Sequence, residues 1–208
     1  MKVKIVSSAV VKRLPRYRRY LNDLRNSGVE RISSGELAGK MDLTASQIRQ
    51  DLNNFGGFGQ QGFGYSVAHL HDEISGIIGL DKNYSMVMIG CGRLGEALAN
   101  FIKNYEPNFK IKAICDIRPD LHGKEVCGCS IMNKEEIEDY LSRNQCDIAI
   151  ISVPPEQIQD VTDLLVRSGV KGIWNFGLTE IEVKGIAVNN MHLSDSLHSL
   201  VYYINHPE

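Results

Sequence analysis

Gly90-Cys91-Gly92-Arg93-Leu94-Gly95 has residue types and spacing suited to holding a diphosphate. In a G-x-G-x-x-G string the first glycine allows a tight turn and the second lets backbone approach a pyrophosphate. The third lets a helix pack closely on a strand. The string informs only in a strand-to-helix context. Here an apolar run at 84–89 precedes it and a helical pattern to about 103 follows. The helix N-terminus then favours phosphate through its free N–H groups and its dipole. A second apolar run, 110–115, ends at Asp116, which lies 21 residues beyond Gly95. A carboxylate there accepts from ribose hydroxyls and repels a 2′-phosphate, so NAD (NADH/NAD+) is expected rather than NADP. The competing reading makes Asp116 a loop cap.

Other reactive residue types form no comparable constellation. Five cysteines (91, 115, 127, 129 and 146) are an odd number without framework spacing, which argues against a secreted disulfide scaffold. Cys127-Gly-Cys129 lacks the two-residue gap of zinc or thioredoxin-like pairs, and no metal is expected. His69 and His71 have no ligand partners nearby in sequence. No apolar run approaches the roughly 20 residues of a membrane helix. The short, charge-broken pieces at the N-terminus do not make a signal peptide, so a cytoplasmic protein is expected.

The elements that must position this chemistry follow from periodicity and charge. Residues 1–80 carry eleven Lys+Arg against seven Asp+Glu, whereas 81–208 carry twelve against eighteen. A basic first domain (1–80) on an acidic second one (81–208) suits a polyanion partner for the first. From Pro15 to about 26, Leu14, Tyr17, Leu21 and Leu24 fall on one helical stripe. Lys12, Arg16 and Arg19 fall on another. Pro15 either opens this helix or lies within one begun near Ser8. Two capping boxes follow, Ser33–Glu36 and Thr44–Gln47, each starting a short helix. Together they read as a helix-turn-helix presenting Ser46, Gln47, Arg49 and Gln50 to a major groove. The alternation of aromatics and glycines over 55–65 suits a hairpin wing with its aromatics on the core face. Residues 66–80 read as a connecting helix.

The remainder alternates helix and strand. Helices are expected near 134–143, 156–168 and 194–204, with strands near 147–153, 172–175 and 185–188. The fold class is therefore α/β: an N-terminal winged helix-turn-helix followed by a Rossmann doubly wound parallel sheet. About 20 residues after the last strand cannot form the substrate domain that a nicotinamide dehydrogenase needs. The Rossmann unit is expected to be a sensor rather than an enzyme.

The whole chain resembles the Rex family of bacterial redox-sensing repressors. The strings that carry the likeness include Lys12-Arg13-Leu14-Pro15-Arg16-Tyr17, Gln47-Ile48-Arg49-Gln50-Asp51-Leu52 and the distinctive 55–65 wing. Gly90–Gly95, Ser152-Val153-Pro154 and Asn175-Phe176 extend it. The resemblance implies a homodimer with swapped C-terminal helices that binds double-stranded operator DNA and releases it when NADH rises. It implies a coenzyme site of Gly90, Cys91, Gly92, Arg93, Leu94, Gly95, Asp116, Ile117, Val153, Pro154, Asn175 and Phe176. It further implies DNA contacts from Lys12, Arg13, Arg16, Arg19, Ser46, Gln47, Arg49, Gln50, Gln60 and Gln61. The chain departs from the family at four places. Gln50 and Gln61 stand where basic residues are usual, Phe101 where a tyrosine is common, and His192-Leu193 where Asp-Phe is common. A shifted operator preference and an altered redox switch at Phe101 and His192 follow from these departures.

Two other classes compete. One is a small NAD-dependent oxidoreductase with an accessory domain. The other is a CoA-binding Rossmann regulator, because the 152–155 and 168–176 strings also resemble CoA-binding domains. Asp116 argues for a ribose with free hydroxyls.

Overall fold

Pro15 lies inside a helix: α1 runs Ser8–Asn26, and Ser7 caps it by accepting from the Val10 N–H. An interior proline costs about 3 kcal/mol. Val10, Leu14, Tyr17 and Leu21 are buried along one stripe, and each large apolar side chain so placed contributes roughly 1.5–3 kcal/mol. Packing outweighs the missing amide. The structure, a computed structural model, describes residues 6–60 and 63–207. The chain divides into two compact units, Met1–Lys82 and Asn83–Glu208.

In the first unit both capping boxes form reciprocally. Ser33 and Glu36 open α2 (Ser34–Met41), while Thr44 and Gln47 open α3 (Ala45–Asn53). Asp42, in the left-handed region at φ 54°, ends α2. The wing strands β2 (Gly59–Gln60) and β3 (Gly64–Ser66) pair antiparallel, and β1 (Arg31–Ile32) adds to β3 from the other side. Two residues are too few to show alternation, so β1 had no sequence signal. Tyr65 is buried, and Phe55 and Phe58 pack against the core. Phe63 departs from the expected core face: it is exposed, with the Arg31 guanidinium 6.0 Å from its ring centroid. The expected connecting helix also does more than connect. α4 (Val67–Ile78) buries Val67, Leu70 and Ile74 in one cluster with Tyr17 and Leu21 of α1.

The second unit is a seven-stranded sheet in the order β10-β9-β8-β4-β5-β7-β6. Its parallel strands are β4 (Tyr84–Ile89), β5 (Phe109–Cys115), β7 (Cys129–Met132), β8 (Ile148–Ile151), β9 (Gly172–Asn175) and β10 (Ala187–Asn190). Only β6 (Glu125–Val126) runs antiparallel. Helices α5 (Arg93–Tyr105), α6 (Lys134–Arg143) and α7 (Ile158–Arg167) bury side chains in two separate clusters. Those of α6 and α7 share one with β4 and β8, and those of α5 share another. Helices on both faces explain why the central strands read as unbroken apolar runs. The β6–β7 hairpin turns through Cys127 and Gly128, at φ 57° and 88°, the two positive values of a primed turn. The Cys-Gly-Cys string is thus a turn. The last helix, α8 (Leu193–Asn205), buries none of its residues. Leu193, Leu197, Leu200, Val201 and Ile204 are all exposed.

Candidate coenzyme cleft and DNA-binding face

β4 lies between β5 and β8, so strand order reverses beside it, and ligands of such sheets bind at the carboxyl ends around that point. The three motif glycines at that end serve different needs. Gly90 has φ +93°, and a Cβ there would lie 2.4 Å from the Ser152 carbonyl oxygen. A Cβ on Gly95 would lie 2.3 Å from the Gly90 carbonyl oxygen. The Ser152 hydroxyl braces the same turn by donating to that oxygen at 2.8 Å. Gly92 is unlike either: its φ is −69°, and the nearest atom to a Cβ there is the Arg118 Nη2 at 3.9 Å. Among the described residues nothing requires glycine at 92. The space beside it opens at the N-terminus of α5, which has no side-chain cap. Open backbone and uncapped amides together fit a pyrophosphate.

A cleft of about 530 Å³ opens at this end of the sheet. Of the residues read from sequence, Gly90, Gly92, Asp116, Ile117, Val153 and Pro154 line it; Arg118, Lys134 and Gln157 join them. Arg93 and Leu94 are exposed on the first turn of α5. The Cys91 side chain is buried, and burial, aided by the Asp116 charge, pushes its thiol up to about 11. Cys91 therefore offers backbone rather than a thiolate. Asn175 is placed differently from expectation. It is fully buried, its Nδ2 donates to the Thr179 carbonyl and the Asn190 Oδ1, and its Oδ1 accepts from the Gly177 N–H. Its amide holds the loop after β9. Phe176 packs on Trp174 with ring centroids 4.7 Å apart.

Asp116 is 7% exposed and its carboxylate is surrounded by donors. Oδ2 accepts from the Cys91 N–H at 2.8 Å and Oδ1 from the Arg118 N–H at 2.9 Å. Arg118 adds Nε to Oδ1 at 3.1 Å and Nη2 to Oδ2 at 3.4 Å. Burial alone would raise the Asp116 carboxyl, but the bonds from Arg118 and the Cys91 N–H outweigh it and hold it below the usual range. The loop-capping geometry is thus present at the same residue that sits in the cleft. Arg118 was missed by sequence reading, although an arginine two residues past a strand-end acid was its signal.

On the first unit, Ser46, Gln47, Arg49 and Gln50 are all exposed along α3. Arg49 Nη1 donates to the Ser34 Oγ at 2.9 Å, and the Gln47 Oε1 accepts from the Thr44 N–H at 3.0 Å. Arg13 does not stand free for a phosphate. Its Nε and Nη2 donate to the two Asp51 oxygens at 2.7 and 2.8 Å, and the Tyr17 hydroxyl donates to Asp51 at 2.8 Å. A buried acid on the inner face of α3 claims this cation. Lys12, Arg16 and Arg19 are exposed. Arg16 donates to the Met41 carbonyl at 3.1 Å, and the Arg19 guanidinium lies 5.7 Å from the Tyr20 ring. Gln60 belongs to β2, and Gln61 lies outside the described residues. Phe101 is half-exposed with its ring 5.5 Å from that of Tyr105, and His192 Nε2 lies 3.4 Å from a Glu180 oxygen. Among the described residues no group of three His, Cys, Asp or Glu could hold a metal, and no helix is long and apolar enough to cross a membrane.

These features define a class: a winged-helix protein that carries a Rossmann unit built around a dinucleotide-type glycine loop. Two family models match, "Putative DNA-binding protein N-terminus" over residues 5–53 and "CoA binding domain" over 81–179. The chain is 49% identical to the redox-sensing transcriptional repressor Rex of Thermoanaerobacter sp. (strain X514), covering 100% of this chain and 93% of that protein. It is 46% identical to Rex of Clostridioides difficile (strain 630), over 96% and 95%. Among solved structures, RSP in complex with β-NAD+ and operator DNA matches with TM-score 0.90 and 49% identity, over 97% of this chain and 94% of that one. RSP in complex with β-NADH also has TM-score 0.90, at 46% identity, over 97% and 95%. The chain belongs to the Rex family of redox-sensing transcriptional repressors.

Proposed function

We propose that this chain is a dimeric, cytoplasmic transcriptional repressor that binds operator DNA through its winged helices and releases it when NADH fills the Rossmann cleft. The observation that carries this reading is the full-length likeness to RSP, which has been solved with β-NAD+ and operator DNA. The open backbone at Gly92 supports the coenzyme half of the reading. The exposed row of α3, centred on Arg49, supports the DNA half, because arginine reads guanine bidentately in a major groove.

NADH and NAD+ share their adenosine half, so the glycine loop and Asp116 hold either form. Redox discrimination must come from groups near the nicotinamide, with Phe101 and His192 as its candidates. A ligand shifts DNA binding only by its differential affinity for two states of the protein. The unpartnered apolar row of α8 supplies a surface that a second copy can cover. A swapped C-terminal helix is the dimer arrangement we favour.

The test is a random-duplex selection followed by a binding titration of the enriched sequence with NADH and with NAD+. Enrichment of a two-half-site sequence, released by NADH at lower concentration than by NAD+, is the expected result. No enrichment refutes specific repression. The CoA-binding family match keeps a second reading in view. Calorimetry separates them, because heat with CoA and none with NADH would favour CoA.

A further inference from the structure

We propose that Ser34 is a positioning residue for operator recognition, holding the Arg49 guanidinium in the orientation that reads a guanine. The inference rests on the reading of α3 as the helix that enters the major groove. Arg49 is exposed on α3, and its Nη1 donates to the Oγ of Ser34, on α2, at 2.9 Å. Nη1 lies on the Cδ side of the guanidinium, so this bond leaves the opposite edge, Nε with Nη2, open. That edge is a rigid two-donor fork. Arg13 closes the same edge on the two Asp51 oxygens. Among the described residues nothing takes it from Arg49. Guanine O6 and N7 present the matching pair of acceptors in a major groove.

The surroundings of Arg49 keep the fork available. Three and four residues away along α3 stand Ala45, Ser46, Leu52 and Asn53, none of them charged. The acid of α3, Asp51, is buried and paired with Arg13. Ser34 in turn is a fixed post. It is the first residue of α2, directly after the reciprocal bonds between Ser33 and Glu36, at 2.8 and 3.1 Å. Leu37, Ala38 and Met41 of α2 share a buried cluster with Ile48 and Leu52 of α3, which fixes one helix on the other. An unbraced arginine loses rotamer freedom on meeting a base, and such immobilisation weakens binding by about threefold to tenfold. With Ser34 in place, much of that ordering precedes the arrival of DNA.

The experiment is a competition titration of the full-length protein on the duplex enriched by selection and on its single-base variants. The variants are Ser34→Ala, Ser34→Thr, Arg49→Ala and the double substitution Ser34→Ala/Arg49→Ala. The base pair at which Arg49→Ala loses preference marks the Arg49 contact. Ser34→Ala is expected to reduce discrimination at that pair by about threefold to tenfold. Discrimination at other pairs should change by less than about twofold. Ser34→Thr, which keeps the hydroxyl, should restore the preference. With Arg49 already replaced, Ser34→Ala should change nothing beyond about twofold, because its effect runs through the guanidinium. Binding of Ser34→Ala to a duplex of unrelated sequence verifies that the winged helix is still folded. Discrimination at the Arg49 pair unmoved by Ser34→Ala would overturn the proposal, and so would a loss that Ser34→Thr fails to restore. An equal loss on every duplex that persists without Arg49 would also overturn it, making the Ser34 hydroxyl a phosphate contact in its own right. Absence of any sequence preference in the unaltered chain would instead remove the operator reading beneath it.

Discussion

Replacing Arg13 by alanine tests whether a cation of α1 serves DNA or the fold. The Asp51 side chain is 5% exposed and that of Arg13 24%. Removing one partner of a buried ion pair costs about 3–5 kcal/mol because the other charge is stranded. Here Arg13 is partly solvated, and the Tyr17 hydroxyl remains to satisfy one Asp51 oxygen. Both effects discount the loss, to about 2–3 kcal/mol. Hydrogen exchange is the suitable assay, since the single tryptophan, Trp174, belongs to the other unit and does not report on α3. Amides of α3 should lose protection by roughly that free energy, and an Arg13→Ala/Asp51→Ala cycle should show the two residues coupled. The pH dependence has a definite sign. Burial would raise the Asp51 carboxyl, but bonds from Arg13 and Tyr17 outweigh it and lower it. Its stabilisation is therefore complete above the ordinary aspartate range and is lost as pH falls through the lowered value. The difference between the unaltered chain and Arg13→Ala should shrink in acid. Unchanged α3 protection, with the salt slope of DNA binding reduced by about one charge, would refute the structural role and restore Arg13 as a phosphate contact.

Gly92→Ala should leave unfolding within about 0.5 kcal/mol of the original, because its φ suits alanine and its Cβ would meet the Arg118 Nη2 only at an ordinary contact distance of 3.9 Å, yet weaken NADH binding by about tenfold or more. Gly95→Ala should destabilise the second unit by about 1–3 kcal/mol in urea unfolding followed by Trp174 emission, since its Cβ would press on the Gly90 carbonyl. Arg49→Ala should relax base preference at one position of each half-site, at about 1–3 kcal/mol, in a selection with single-base variants. Phe101→Tyr and His192→Asp, which restore the residues common in the family, should sharpen NADH-driven release in a DNA titration. Release unaltered in both variants would remove these two residues from the switch.

The sequence by itself determined the local devices. Capping boxes at Ser33 and Thr44 depend on residues three apart, and a strand–glycine–helix string at 84–103 depends on contiguous residues. Both were legible because their physics is local. The apolar runs likewise marked β4 and β8, whose two covered faces leave no alternation to decode. What tertiary structure decided was the employment of side chains whose partners are distant in sequence. Arg13 looked like one more basic residue until Asp51, 38 residues away, took its Nε and Nη2 donors. Asn175 looked like part of the coenzyme site until Thr179 and Asn190 were seen to hold its amide. Asp116 was visible as a strand-end acid, but its compensation by Arg118 depends on a turn that folds the guanidinium back over the glycine loop. Two-residue strands such as β1 and the β6 edge carry too few positions for a pattern and exist only because a neighbour supplies their hydrogen bonds. A polar side chain has no preferred role until the fold fixes which partners lie within about 3 Å of it.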